Sequence, residues 1–285
     1  GSADADILEA FAGDDLLEGR GGNDHLDGGD GVDTASYATA TGGVRVDLSL
    51  VGVQDTASAG SDVLVSIENL IGSSFADVLR GNAGANRIDA GAGDDLIDGG
   101  AGEDTLSYAS APAGVSVNLA LTTAQATGGA GRDTIQGLEH LIGSRFADVL
   151  TGSAGPNALQ AGEGNDLLWG SLGADRHSGG PGADRFLYRS EAEAGNGVEG
   201  RDWILDFQND DRIDLTALDA NPSRTGDQAF SWIGSNAFKS PGQLRYTVVN
   251  GLGLLEGNTI GTSGAEFQIA IQGGFALRSG THVLL

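Results

Sequence analysis

An acidic residue or its amide returns every nine residues along most of this chain. Asp6, Asp15, Asp24 and Asp33 form one series, Asp77, Asn86, Asp95 and Asp104 a second, and Asp148, Asn157, Asp166, Asp175 and Asp184 a third. Around each stands a variant of Gly-Gly-x-Gly-x-Asp-x-U-x, where U is a large apolar residue. Clear copies run Gly28 to Ser36, Gly99 to Ser107, Gly128 to Gln136 and Gly179 to Leu187. The U row reads Leu8, Leu17, Leu26, Ala35, then Leu79, Ile88, Ile97, Leu106, then Leu150, Leu159, Leu168, His177 and Phe186. A flexible Gly/Asp-rich linker would show no fixed phase between aspartate and apolar residue. A fixed short period instead marks a stack of identical small units, none able to bury its apolar face alone.

The positions of the repeat have separate physical reasons. Glycines permit a tight turn through conformations that a Cβ forbids. Such a turn can aim several carbonyl oxygens at one point, and the aspartate adds a charged oxygen. Hard oxygen ligands of this kind are what Ca²⁺ takes. The x-U-x end alternates as a short strand does, with U facing inward. One nonapeptide then gives one turn and one strand, and two give a coil of eighteen residues. Residues eighteen apart stack: Asp6 on Asp24, Asp15 on Asp33, Asp77 on Asp95, Asn86 on Asp104, Asp148 on Asp166, Asn157 on Asp175, and Asp166 on Asp184. Asp202 lies eighteen beyond Asp184 and is expected to stack on it. The expected fold is all-β, a parallel β-roll with ions between stacked turns. Asn86 and Asn157 bring no charge and are expected to make weaker sites.

A longer repeat contains the short one. Residues 1–71 and 72–142 are two copies, and a third starts at Gly143. The junctions correspond, Ile67-Glu68-Asn69-Leu70-Ile71-Gly72-Ser73 against Leu138-Glu139-His140-Leu141-Ile142-Gly143-Ser144. Each copy holds an alternating strand, Val44–Leu48 or Val115–Leu119, followed by a Ser/Thr/Ala/Gly loop. A further Asp-x-U follows at Asp62-Val63-Leu64 and Asp133-Thr134-Ile135, so Asp62 and Asp133 join the candidate metal ligands. The irregular stretches 37–61 and 108–127 read as wider coils of one continuous solenoid; the alternative is loops separating three independent rolls. From about Phe186 glycine thins and aromatics gather, with strand-like runs at Leu244–Val249, Leu252–Glu256, Phe267–Ile271 and His282–Leu285. A solenoid needs its open end covered. The expected division is a roll over 1–187, with parts 1–71, 72–142 and 143–187, and a β cap over 188–285.

Composition then excludes classes of function. With 40 acidic and 15 basic residues among 285, the formal charge is −25, which argues against nucleic acid as a partner. Self-repulsion of that size opposes compaction. About seven or eight Ca²⁺ ions would cancel about 14 to 16 of those charges, coupling folding to binding. There is no Cys, so ions rather than disulfides would be the cross-links. There is no Met, so the chain is expected to be part of a longer product. No signal peptide is read, and no apolar run approaches the roughly 20 residues a membrane helix needs. The four histidines show no His-Glu-x-x-His spacing, and no Gly-x-Ser-x-Gly elbow occurs, so no catalytic constellation is read. His177 interrupts the apolar row and reads as a tolerated residue at the end of the stack rather than a ligand.

The nonapeptides over residues 1 to about 187 resemble the RTX, or haemolysin-type, calcium-binding repeat. The segment Asp202-Trp203-Ile204-Leu205-Asp206-Phe207-Gln208-Asn209-Asp210-Asp211-Arg212-Ile213-Asp214-Leu215 is similar to the C-terminal domain of serralysin-type metalloproteases. Similar caps end the R-modules of alginate C5-epimerases, and Gly264–Ile271 fits the same pattern. The resemblance implies calcium-triggered folding outside the cell and export by type I secretion machinery guided by the C-terminal region. It implies a secreted, extracellular or cell-surface location and a non-catalytic part of a larger protein. Two alternatives are a module binding an anionic polysaccharide, through an outward arginine row of Arg176, Arg185 and Arg212, and an adhesion or surface spacer.

Overall fold

The computed structural model describes residues 1–261 and 263–285. It is built almost wholly from strands of two to seven residues, with one short helix at Glu191–Ala194. The chain divides into two compact units, Gly1–Ser144 and Arg145–Leu285. The first ends with the second 71-residue copy. The expected boundary at 187/188 lies within the second unit, where strands on either side of it are paired.

In the first unit most x-U-x runs form three-residue strands, and successive nonapeptides place their strands in different sheets. One sheet stacks Ile7–Glu9, His25–Asp27 and Gly60–Val65 in parallel. Another stacks Leu16–Leu17, Thr34–Ser36, Asn69–Ile71, Arg87–Asp89, Thr105–Ser107 and His140–Ile142. Leu8 faces Leu26, and Ile88 faces Leu106, the eighteen-residue register. The inward residues Leu26, Ala35, Ile88, Ile97, Leu106 and Leu141 are fully buried. The turns between need glycine where chains approach: Gly93 has φ +154°, and a Cβ there would lie 2.5 Å from the Phe75 carbonyl oxygen. This is the parallel β-roll that the period dictates.

The irregular stretches are part of the roll. Arg45–Asp47 pairs in parallel with Val78–Arg80 of the next copy, ahead of its place in the chain. The chain then turns back through an antiparallel hairpin, Val53–Ala57 with Gly60–Val65, before resuming beside His25–Asp27. The second copy repeats the hairpin with Gln125–Gly128 and Gly131–Gln136, the latter beside Leu96–Asp98. The first hairpin arm was expected as a loop because its pattern is inverted: Gln54 and Thr56 are buried while Val53 is exposed. The Gln54 side chain explains the inversion. Its Oε1 accepts from the Asp47 N–H at 2.8 Å and its Nε2 donates to the Asp47 carbonyl at 3.2 Å, supplying a missing ladder rung. Gln125 does the same for Asn118 at 2.8 and 2.9 Å.

In the second unit, Val149–Thr151, Leu167–Trp169, Arg185–Leu187, Arg212–Asp214 and Val283–Leu284 form one parallel stack. Ala158–Gln160, Arg176–Ser178, Asp202–Ile204 and Phe267–Gln272 form the other. That sheet continues antiparallel into Leu252–Asn258 and Gln243–Val249, the expected cap strands. Its apolar face is sealed by residues including Phe230, Phe267, Ile269 and Leu255.

Candidate metal centres

The aspartates form a hydrogen-bonded ladder. The N–H of each residue donates to Oδ1 of the acidic residue one coil later. Asp6 donates to Asp24 at 2.9 Å, Asp15 to Asp33 at 2.8 Å, Asp77 to Asp95 at 2.8 Å and Asn86 to Asp104 at 2.8 Å. In the second unit Asp148 donates to Asp166 at 2.8 Å, Asn157 to Asp175 at 2.8 Å and Asp166 to Asp184 at 3.0 Å. These seven eighteen-residue pairs read from the sequence are thus in contact.

Asp202 departs from the expected stacking. It accepts from Asp175, 27 residues earlier, and it is Asp211 that accepts from Asp184. The segment carrying the helix at Glu191–Ala194 occupies the place of one nonapeptide, so the register skips by one repeat. Asp211 was missed, although the cadence reaches it nine residues after Asp202, in Asp211-Arg212-Ile213. Glu68 and Glu139 were missed too. They accept from the N–H groups of Asp33 and Asp104 at 2.8 and 2.9 Å, ending each run with a longer carboxylate in the same acid-x-U frame.

What distinguishes the acidic residues is the second carboxylate oxygen. Oδ2 of Asp15, Asp24, Asp33, Asp95, Asp104, Asp166, Asp175, Asp184 and Asp202 is buried with no hydrogen-bond partner. Buried polar atoms in folded proteins nearly always have partners, so a row of orphaned anionic oxygens calls for cations. The turns at Gly28 and Gly99 bring a carbonyl to the same place. A methyl group on Gly28 would collide with both Asp33 Oδ2 and the Ser66 carbonyl oxygen, and one on Gly99 would meet Asp104 Oδ2 and the Gly137 carbonyl oxygen. The donor set is all oxygen, which fits Ca²⁺. Burial, then neighbouring carboxylates, pushes Asp95 and Asp166 up to about 7 and Asp184 to about 6. Burial pushes Asp175 up to about 7, and burial with Asp175 beside it pushes Asp202 to about 8.

Other members of the expected ligand set are satisfied within the protein. Asp77 accepts from the Ser73 N–H at 2.6 Å, the Ser73 hydroxyl at 2.7 Å and the Val44 N–H at 2.7 Å. Asp6 is served in the same way by Ser2 at 2.5 and 3.0 Å. A serine at the second glycine position supplies the donors. Asp62 accepts from Asp24 N–H, the Tyr37 hydroxyl and the Thr56 hydroxyl; Asp133 accepts from Asp95 N–H, Tyr108 and Thr127. Burial raises the pKa of both tyrosines, which stay neutral donors. Asn86 Nδ2 donates to the Glu68 carbonyl at 2.6 Å, and Asn157 Nδ2 to the Ser153 hydroxyl at 3.3 Å. In these turns Oδ1 takes the place of the bare aspartate oxygen and is satisfied, accepting from the Asn82 N–H at 2.8 Å in one and the Ser153 N–H at 2.7 Å in the other.

The arginine row does not form. Arg176 lies beside Trp203 in one sheet, while Arg185 and Arg212 face each other in the other. Arg185 is engaged by the buried Asp214, and Arg212 by the carbonyls of Asp210 and Asp211.

Residues 1–35 and 71–106 match a family model of four copies of the RTX calcium-binding nonapeptide repeat. Residues 112–281, more than half of the chain, match the family model described as peptidase M10 serralysin C terminal. Among solved structures, the chain is similar to the AlgE6R3 subunit of the mannuronan C5-epimerase of Azotobacter vinelandii, studied in solution. The identity is 27%, covering 49% of this chain and 78% of that one, with a TM-score of 0.29. No curated protein matches the chain.

Proposed function

The chain belongs to the peptidase M10 serralysin C-terminal family and carries RTX calcium-binding repeats, and from that premise we propose that it is a calcium-dependent folding and export module of a larger secreted protein. The observation that supports this reading is the row of buried, donorless Oδ2 atoms beside turn carbonyls. Calcium supplies the positive charge those oxygens lack and cross-links adjacent coils. In a cell interior poor in calcium, the same oxygens and the −25 charge keep the chain expanded. Outside, at millimolar calcium, it folds. The cap over 188–285 covers the last coil and carries the information read by a type I exporter. The module itself is non-catalytic. Among the described residues no helix is long and apolar enough to cross a membrane.

The ligand set of this proposal is narrower than the sequence suggests. Asp15, Asp24, Asp33, Asp95, Asp104, Asp166 and Asp184 hold calcium with turn carbonyls, while Asp6, Asp62, Asp77, Asp133, Asn86 and Asn157 hold the turns together by hydrogen bonds. Calcium counting by equilibrium dialysis tests this. Asp33→Ala is expected to lose bound calcium, and Asp62→Asn to keep the full count at lower stability. Equal loss from both variants would contradict the division. Fusion of residues 188–285 to a reporter, co-expressed with a type I exporter, tests the export role; retention of the fusion inside the cell would refute it.

A further inference from the structure

His177 sits in the middle of the inward row, not at the end of a stack. It pairs with Leu159 on one side and Ile204 on the other, and it is completely buried. Neither ring nitrogen has a hydrogen-bond partner. The ring stacks on Phe186 with centroids 6.1 Å apart, a contact that leaves both nitrogens unsatisfied. Its surroundings are not wholly apolar. Oδ2 of Asp175 and Oδ2 of Asp202 are also buried without donors. Asp175, His177 and Asp202 each offer one ligand atom, all within 4.8 Å of one another. Gly170 leaves the space open: a methyl group there would collide with Asp175 Oδ2 and lie 2.7 Å from His177 Nε2. The Tyr188 hydroxyl is buried in the same region, near enough to Asp202 to favour its ionised form by hydrogen bonding, its ring centroid 6.5 Å from that of His177.

We propose that Asp175, His177 and Asp202 form a transition-metal site, of the Zn²⁺ class, distinct in kind from the calcium turns. Calcium takes oxygen, whereas an imidazole nitrogen with two carboxylates is a donor set that Zn²⁺ and its congeners prefer. Three protein ligands leave a fourth position for water or the Tyr188 oxygen. The register skip that brings Asp202 rather than an eighteen-residue partner onto Asp175 is what assembles the site. It joins the strand Arg176–Ser178 to the strand Asp202–Ile204, where the regular repeat gives way to the cap sheet. The site is closed to solvent, so the metal enters during folding and pins that joint.

The test is refolding from chelator into excess Ca²⁺ with limiting Co²⁺ as a visible probe. The wild-type chain is expected to retain one Co²⁺ with the intense visible absorption of four-coordinate N/O ligation, displaced when Zn²⁺ is present during refolding. His177→Leu fits the row beside Leu159 and Ile204 and is expected to lose that band while folding at an unchanged calcium midpoint. Asp202→Asn, which keeps an acceptor for the Asp175 N–H, is expected to weaken the band as well, and it serves if the leucine variant does not fold. A wild-type chain that folds with calcium but shows only the weak absorption of six-coordinate Co²⁺, or none, overturns the proposal. So does a folded His177→Leu variant that keeps the band. Failure of the wild type to fold with calcium would strike the calcium reading instead.

Discussion

The backbone N–H of Asp77 donates to Oδ1 of Asp95 at 2.8 Å, while Oδ2 of Asp95 lies buried with no donor. One oxygen therefore ties two coils together, and the other waits for a cation. Asn86, one nonapeptide away, makes the contrast: its Oδ1 accepts from the Asn82 N–H at 2.8 Å, and its Nδ2 donates to the Glu68 carbonyl of the coil before at 2.6 Å.

The contrast predicts opposite substitutions. Asp95→Ala removes both the coil tie and an ion ligand, and it should raise the calcium midpoint of folding and lower the calcium count. Asn86→Ala should lower stability in proportion to lost hydrogen bonds, about 1–2 kcal/mol, and leave the count unchanged. Asn86→Asp should add a calcium ion and make the chain harder to fold in chelator. Calcium titrations of the three variants decide the point, and equal midpoints would mean that the side chains contribute little.

Gln54 and Gln125 each replace a ladder rung with a side-chain amide. Gln54→Ala leaves the Asp47 N–H and carbonyl without these partners inside a partly buried joint. The expected loss is about 1–3 kcal/mol in calcium-saturated unfolding, with the calcium count unchanged. Gln54→Glu, which keeps an acceptor but loses the donor, should fall between. A wild-type melting curve for Gln54→Ala would show that the hairpin does not need the rung.

Acidity should act oppositely with and without calcium. In the cation-free fold, Asp95, Asp166 and Asp175 are held up to about 7, and Asp202 to about 8, above the ordinary 3.8. The folded chain thus keeps protons that the unfolded chain has released. That stability is fully present below the ordinary carboxyl range and is lost as pH rises through about 7. Circular dichroism in chelator should show β structure increasing from about pH 8 down to about pH 5. With calcium, protons compete for the same oxygens, and the calcium midpoint should rise over that range. A chelated chain that stays unordered throughout acidification would contradict the burial of these carboxylates.

Truncation after residue 187 removes the acceptors of two coil ties, Asp202 Oδ1 from Asp175 N–H at 2.8 Å and Asp211 Oδ1 from Asp184 N–H at 3.0 Å. Each charge-assisted bond contributes roughly 1.5–3 kcal/mol. The truncated chain should need more calcium to order its third block, or leave that block unordered. Folding at the same calcium concentration as the whole chain would make the cap an independent domain.

The period carried most of this structure. Leu26, Ile88 and Leu106 are buried where the x-U-x phase places them, and the eighteen-residue contacts up to Asp184 are present, because each turn repeats the same local chemistry. The hairpin arm Val53–Ala57 was illegible because its buried residues, Gln54 and Thr56, are polar and are satisfied by Asp47 and Asp62, pairings that no apolar alternation signals. The stacking of Asp202 was misread because a local helix can stand in for one nonapeptide, which spacing alone does not reveal. The role of Asp62 depends on Tyr37 and Thr56, neither of which belongs to the repeat. His177 breaks the apolar row in plain sight, yet only the skip in register brings Asp202 beside it.

The most direct test of the account is the state of the chain without calcium near neutral pH, measured by small-angle scattering and circular dichroism on one sample before and after millimolar Ca²⁺ is added. The account predicts an expanded, largely unordered chain in chelator that compacts and gains β structure with calcium. A chain equally compact and β-rich in chelator would contradict it.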